Sequence, residues 1–344
     1  MWWTVMRRDA LVATFINRLL RCRRIGCAPG TAERRLLRAI AICAAVLAGG
    51  APLDMPAARA QDTAAQEAQQ RAAILARSPV DAAKRVFGAA TSPAPGPARA
   101  IGSYSKGCLA GAIELPADGP NWQVMRPSRN RAWGHPVLIA FLERLAAQAA
   151  GTAGWPGLLV GDIAQPRGGP MLTGHESHQI GIDADIWLTP MPDRRLSPAE
   201  RDTMAATDMV AESGDDIDPK IWRPEHRQLL ETAARGAGVA RIFVNPAIKR
   251  ALCRKAGREA GADRDWLRRI RPWWGHNYHF HLRLRCPPGE TQCKDQAEPP
   301  AGDGCGAELA WWFTAEAKHP KLGPPGKPLL VSNLPAACAA LVER

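Results

Sequence analysis

The sequence predicts an α+β fold: a small antiparallel sheet flanked by helices and long loops and stabilised by disulfides. Three observations carry that reading. Two windows, residues 174–188 and 273–285, contain runs that alternate apolar and polar residues with period two, the mark of strands with one wet or functional face. Other stretches, led by 137–150, carry apolar residues at helical spacing. Beyond residue 60 the chain keeps six cysteines, an even number that suits three disulfides.

The first sixty residues read as an export leader. Arg34, Arg35 and Arg38 precede a short apolar run, AIAICAAVLAG (39–49), and Ala58-Arg59-Ala60 offers a cleavage site before Gln61. The run is short for a bilayer span, so an uncleaved membrane anchor is the secondary reading. Residues 1–30 are long for the basic part of a signal. The leader also explains the charge. Its ten arginines against three acidic residues supply +7 of the net +12, leaving +5 for the rest of the chain. Nucleic-acid binding thereby loses its main support.

Residues 61–77 are rich in Ala and Gln, helical in pattern and otherwise featureless, and SPAPGPA (92–98) reads as a Pro-rich linker. The chain thus divides into a leader (1–60), an Ala/Gln- and Pro-rich segment (61–100) and a main domain (101–344). Within that domain VLIAFLERLAAQAA (137–150) is an amphipathic helix stopped near Gly151, and GLLVGDI (157–163) is a buried strand. Ser197 and Glu200 form a capping box with Pro198 at the first helical position, which predicts a helix over 198–210. A further helix is expected over 225–236. Trp311, Trp312 and Phe313 cluster near the C-terminus. Cys286 and Cys293 bracket Pro287, Pro288 and Gly289 and form a local staple; the other pairings stay open, because six cysteines allow 15 connectivities. Zinc ligation by cysteine is the rival reading, but the chain has no C-x-x-C pair.

Five of the eight histidines sit in the two windows. In the first, Asp183, Asp185 and Trp187 alternate with Ile182, Ala184, Ile186 and Leu188, and a turn at Gly181 can bring His178 back beside Asp185. In the second, His279, His281, Arg283 and Arg285 alternate with Tyr278, Phe280, Leu282 and Leu284. A catalytic zinc takes three protein ligands and keeps one position for water, whose pKa it lowers to about 7. Two such strands can supply His178 and Asp185 from one side and a histidine from the other. His135, His226 and His319 lie outside the windows and read as ordinary core or surface histidines. Ser103-Tyr104-Ser105-Lys106 matches a serine-enzyme pattern, but no K-T-G accompanies it. His175-Glu176-Ser177-His178 is one residue too short for the zincin motif.

These windows resemble the penicillin-insensitive murein endopeptidases, within the wider group of lysostaphin-type, D-Ala-D-Ala and hedgehog-like metallopeptidases. The shared marks are His178 followed by Asp185, His279-Phe280-His281, and the run from Gly174 through Trp187. IGSYSKGCLAGA (101–112), MRPSRNRAWGHP (125–136), GDIAQPRGGPM (161–171) and RIFVNPAIKRALC (241–253) extend the likeness in collinear order over about residues 84–344. The resemblance implies one zinc ion held by His178, Asp185 and His281. It implies His279 as the active-site histidine that assists water, with His276 sharing proton transfer and His175 and Asp183 lining the site. It also implies the pairs Cys108–Cys338, Cys253–Cys305 and Cys286–Cys293. The implied activity is hydrolysis of D-alanyl–meso-diaminopimelyl cross-links between peptidoglycan stem peptides, in the periplasm and without sensitivity to β-lactams. A D-Ala-D-Ala-type carboxypeptidase or dipeptidase, and a non-catalytic zinc-bearing murein-binding module, are the alternatives. No nucleic-acid partner and no stable membrane insertion after cleavage are expected.

Overall fold

A computed structural model describes residues 64–259, 261, 263–320 and 326–342. The leader and its cleavage site lie outside the described residues. Helices α1 (Ala64–Arg77) and α2 (Ala83–Gly88) come first, then the hairpin β1 (Arg99–Ser103) and β2 (Lys106–Ala110). Four short strands succeed it: β3 (Ile113–Glu114), β4 (Asp118–Gly119), β5 (Trp122–Val124) and β6 (Trp133–Gly134). Next come α3 (Pro136–Thr152), β7 (Leu158–Val160), β8 (Asp183–Trp187), α4 (Pro198–Thr203) and α5 (Pro224–Arg235). Then β9 (Val239–Val244), α6 (Pro246–Gly257), β10 (Ile270–Pro272) and β11 (His279–Leu284) complete the body. The tail adds α7 (Ala307–Trp311), α8 (Ala315–Lys318) and α9 (Ala336–Ala339).

The fold is α+β, with a sheet larger than expected. Seven strands run in the order β10-β9-β11-β8-β7-β5-β4. The strands that carry the histidine and aspartate windows, β11 and β8, are antiparallel as expected, whereas β10–β9 and β5–β7 are parallel. Each parallel pair is joined through a helix, α6 and α3 respectively, because parallel neighbours need a crossover.

Helix α3 forms where the sequence allows: His135 caps it by accepting from the Val137 amide, and Pro136 occupies its first turn. Its residues Leu138, Leu142, Leu145 and Ala149 share one buried face and pack with Leu229, Leu230, Ala233 and Ala234 of α5. Ile182, Ala184, Ile186, Phe280, Leu282 and Leu284 belong to the same core. Since alternate strand residues point to opposite faces, Asp183, Asp185, His279 and His281 project from the other side. Helix α4 has the expected capping box of Ser197 with Glu200 but ends at Thr203, short of 210. The chain turns away there to bury Ala206 and to let the Met209 amide bond the Asn277 carbonyl.

The N-terminal segment is packed into the body of the protein. Phe87 and Ala94 share a second core with Ile101, Cys108, Leu334, Cys338 and Leu341. Ser103 and Lys106 face each other across the hairpin turn, an ordinary structural use of that motif. The disulfides are Cys108–Cys338, Cys253–Cys305 and Cys286–Cys293, the pairs the resemblance implies. No helix among the described residues is long and apolar enough to cross a membrane.

One buried cation yields a stability prediction. Lys249, on α6, is fully buried, and its Nζ donates to the carbonyls of Leu267 and Asp303. Burial, with Arg271 nearby, pushes it down from 10.5 to about 7. The unfolded chain therefore binds a proton between pH 7 and 10.5 that the folded chain does not. The stability this group contributes is full above about 10.5 and is lost as pH falls through about 7. Denaturant titrations across that range are expected to show the rise, and Lys249→Met is expected to flatten it. An equal slope in the variant would assign the effect elsewhere.

Candidate metal centre

Strand pairing sets the site. His281 lies opposite Asp185 across β11 and β8, with His279 opposite Trp187 and Arg283 opposite Asp183. Cross-strand partners project side by side on one face, so these side chains meet without any special loop. Asp185 is fixed at its backbone, donating to the Asp162 carbonyl and accepting from the Gly161 amide.

His178 arrives from the loop before β8. It holds a left-handed backbone conformation, φ 66°, ahead of Gly181 at φ 71°. A non-glycine residue there is strained, and such strain gathers at functional sites. The His178 amide donates to Asp183 Oδ2 at 3.1 Å, and its Nδ1 donates to the Ile163 carbonyl at 2.6 Å. That second bond fixes the ring and turns Nε2 toward Asp185 Oδ1, 3.4 Å away. His281 Nδ1 lies 3.6 Å from the same oxygen, and the His178 and His281 ring centres are 4.4 Å apart. His175 Nε2 is 3.5 Å and His279 Nε2 3.6 Å from Asp185 Oδ2.

These spacings test whether a metal fits. His178 Nε2 and Asp185 Oδ1 are buried and have no hydrogen-bond partner, a costly state for polar atoms. Their separation is long for a hydrogen bond. It matches the edge of a tetrahedron with bonds of about 2.0–2.1 Å to its centre, an edge of about 3.3–3.4 Å. Among the described residues, His175, His178 and Asp185 offer ligand atoms all within 4.8 Å of one another. His281 approaches the same Asp185 oxygen as His178, and His175 the other one. The structure thus brings His175, His178, His279 and His281 of the two windows to within 3.4–3.6 Å of Asp185.

Electrostatics separates the histidines. Burial works against charge on His178, but Asp185, Asp183 and Asp162 outweigh it and push its pKa up. Burial, with neighbouring imidazoles, drives His279 down to about 3 and His281 down to about 4, so both are neutral near pH 7. His276, at φ 49°, is also lowered by burial; its Nδ1 meets the Trp274 carbonyl at 3.0 Å and its ring is 4.9 Å from His279. Asp183 pairs with Arg283, whose Nε and Nη2 lie 2.8 and 3.1 Å away. Its Oδ1 is 3.3 Å from His281 Nε2. Burial opposes its charge, yet Arg283 and His281 hold it far below the ordinary carboxylate range.

Of the remaining histidines, His135 caps α3, His226 is packed between Trp155 and Trp222, and His319 is exposed. Sequence reasoning missed Asp162, two residues past the end of β7. Its Oδ2 lies 2.8 Å from Arg131 Nη1 and 3.0 Å from His175 Nε2. A carboxylate closing the apolar run GLLVGDI was the available signal, since a buried charge needs a partner. Tyr278 was read only as one of the apolar residues of its strand. It lines the cleft over the centre, with Arg126, Arg129, Arg131, Asp162, His175, Asp185 and His279.

A family model described as penicillin-insensitive murein endopeptidase matches residues 100–343. A protein of that name from Pectobacterium atrosepticum is 46% identical over 252 residues, covering 73% of this chain and 86% of the relative. One from Klebsiella pneumoniae is 46% identical over 253 residues, covering 74% and 89%. One from Yersinia enterocolitica is 44% identical over 275 residues, covering 79% and 94%.

Proposed function

The chain belongs to the penicillin-insensitive murein endopeptidase family, and from that premise we propose that it is an exported zinc-dependent enzyme cutting D-alanyl–meso-diaminopimelyl cross-links between murein stem peptides. One observation carries the metal part of the reading. His178 Nε2 from a strained loop, buried and without a hydrogen-bond partner, and His281 Nδ1 from β11 converge at 3.4 and 3.6 Å on Asp185 Oδ1, itself buried and unpartnered. His178, Asp185 and His281 are the proposed ligands of one zinc ion, with His175 against the second oxygen of Asp185. Three disulfides suit an oxidising compartment, and the periplasm is the proposed location.

When bound, zinc would polarise the scissile carbonyl and acidify a water. The chain's own residues do the rest. The Ile163 carbonyl fixes the His178 ring, and the Asp183 carboxylate stands 3.3 Å from the far nitrogen of His281. His279 is neutral near pH 7 and its Nε2 stands 3.6 Å from Asp185 Oδ2, whose negative charge would support the imidazolium formed when it takes the proton of the attacking water. His276, whose ring lies tilted 4.9 Å from that of His279, can receive that proton and pass it to the leaving amine. Burial pushes Tyr278 up to about 12, so it keeps its hydroxyl proton as a donor in the cleft. No step uses a nucleophilic serine, so a β-lactam has nothing to acylate.

The test is digestion of purified cross-linked muropeptide dimers by the mature chain, with and without penicillin. Conversion of dimers to monomers at an unchanged rate is expected. Release of terminal D-alanine with dimers intact would replace this reading by a carboxypeptidase, and binding to sacculi without product by a binding module.

A further inference from the structure

Helix α1 lies upstream of the stretch 100–343 that the family model matches, yet it reaches the cleft. Its described side chains are exposed or half-buried except one: Glu67, 5% exposed. A polar helix of this kind gains little from apolar burial, and Glu67 ties it to the cleft wall. Glu67 Oε2 pairs with Arg129 Nε, its Oε1 is 3.3 Å from Arg131 Nη2, and the Thr173 hydroxyl donates to Oε1 at 2.9 Å. The far end of α1 is tied to α2, where Arg85 donates to the Leu75 carbonyl at 2.9 Å. The helix can leave the cleft without leaving the protein.

The two guanidinium groups already share Asp162, at 3.2 Å from Arg129 and 2.8 Å from Arg131. They carry two positive charges against that one negative charge, and Glu67 supplies the second. Planar guanidinium groups recognise carboxylates by this fork of donors. Arg131 and His175 meet on the same Asp162 oxygen, so the carboxylate pocket adjoins the centre around Asp185. We propose that Arg129, Arg131 and Thr173 form a carboxylate-binding subsite of the cleft, and that Glu67 fills it in the resting chain as a displaceable plug. The ligand is a peptide bearing a free carboxylate near the bond to be cut, as stem peptides do. This rests on reading the cleft as the peptide-binding site.

The experiment measures binding without turnover. N-acetyl-D-alanine and its amide are titrated by calorimetry into the mature full chain, into Glu67→Ala, and into Glu67→Ala with Arg129→Gln. A plug closed nine-tenths of the time costs about tenfold in apparent affinity, so the acid is expected to bind Glu67→Ala about tenfold tighter than the unaltered chain. The amide should show no such gain, and Arg129→Gln should remove it. Arg129 is chosen because its side chain is 21% exposed, against 2% for Arg131. If Glu67→Ala fails to fold, Glu67→Gln is read in its place and should give a smaller gain of the same sign. No gain in the acid, or an equal gain in the amide, overturns the subsite. Failure to cleave muropeptides would sink the proposed reaction, while these titrations would still decide the subsite.

Discussion

Replacing His281 by alanine is expected to cut the conversion of muropeptide dimers to monomers by about 10³-fold or more, a loss of about 4 kcal/mol in transition-state stabilisation. The same substitution should lower bound zinc from one per chain toward none, and chelation of the unaltered protein should reproduce the loss. The reason is geometric. His281 sits opposite Asp185 in the register, with Nδ1 3.6 Å from the Asp185 oxygen that also faces His178. Without it, the centre keeps too few donors on that side. The variant should still fold, because Asp183 retains its pair of contacts to Arg283. A melting temperature near that of the parent would separate lost chemistry from lost structure. Turnover that survives in His281→Ala, with the protein metal-free, would end the metal reading.

The second large effect concerns the frame. Cys108–Cys338 joins residues 230 apart, from the first hairpin to the last helix. On the chain-entropy account, removing a cross-link over so long a loop costs about 5 kcal/mol, against about 2 kcal/mol for the seven-residue loop of Cys286–Cys293. Alanine at both positions of each pair, with unfolding by guanidinium, should show the first variant losing about twice as much as the second. Equal losses would mean that local packing, not loop closure, sets the contribution. Cys108 and Cys338 are fully buried beside Phe87 and Leu341, so this variant also measures how firmly the chain ends are held.

The site was legible in the sequence because its signals are local. Alternation over Asp183–Trp187 and His279–Leu284 names both strands and the faces their polar residues share. Helix α3 was legible from its apolar spacing, and α5 lies within one residue of the expected 225–236. The full sheet was not. β5 and β10 are three residues each, too short to show a period, and their parallel pairing depends on packing across a crossover helix. The length of α4 was misread because burial of Ala206 and the Met209–Asn277 bond override propensity after Thr203. Glu67 was invisible for a similar reason. It is one acid in a polar helix, and its partners stand more than sixty residues away.

The reactive groups occupy strands whose reverse side is the hydrophobic interior. Phe280, between His279 and His281, is fully buried, as is Ala184, next to Asp185 and opposite Leu282. Any repacking behind the sheet therefore levers the ligands in front of it. An added methyl group at Ala184 is expected to disturb the proposed ligands as well as to cost stability.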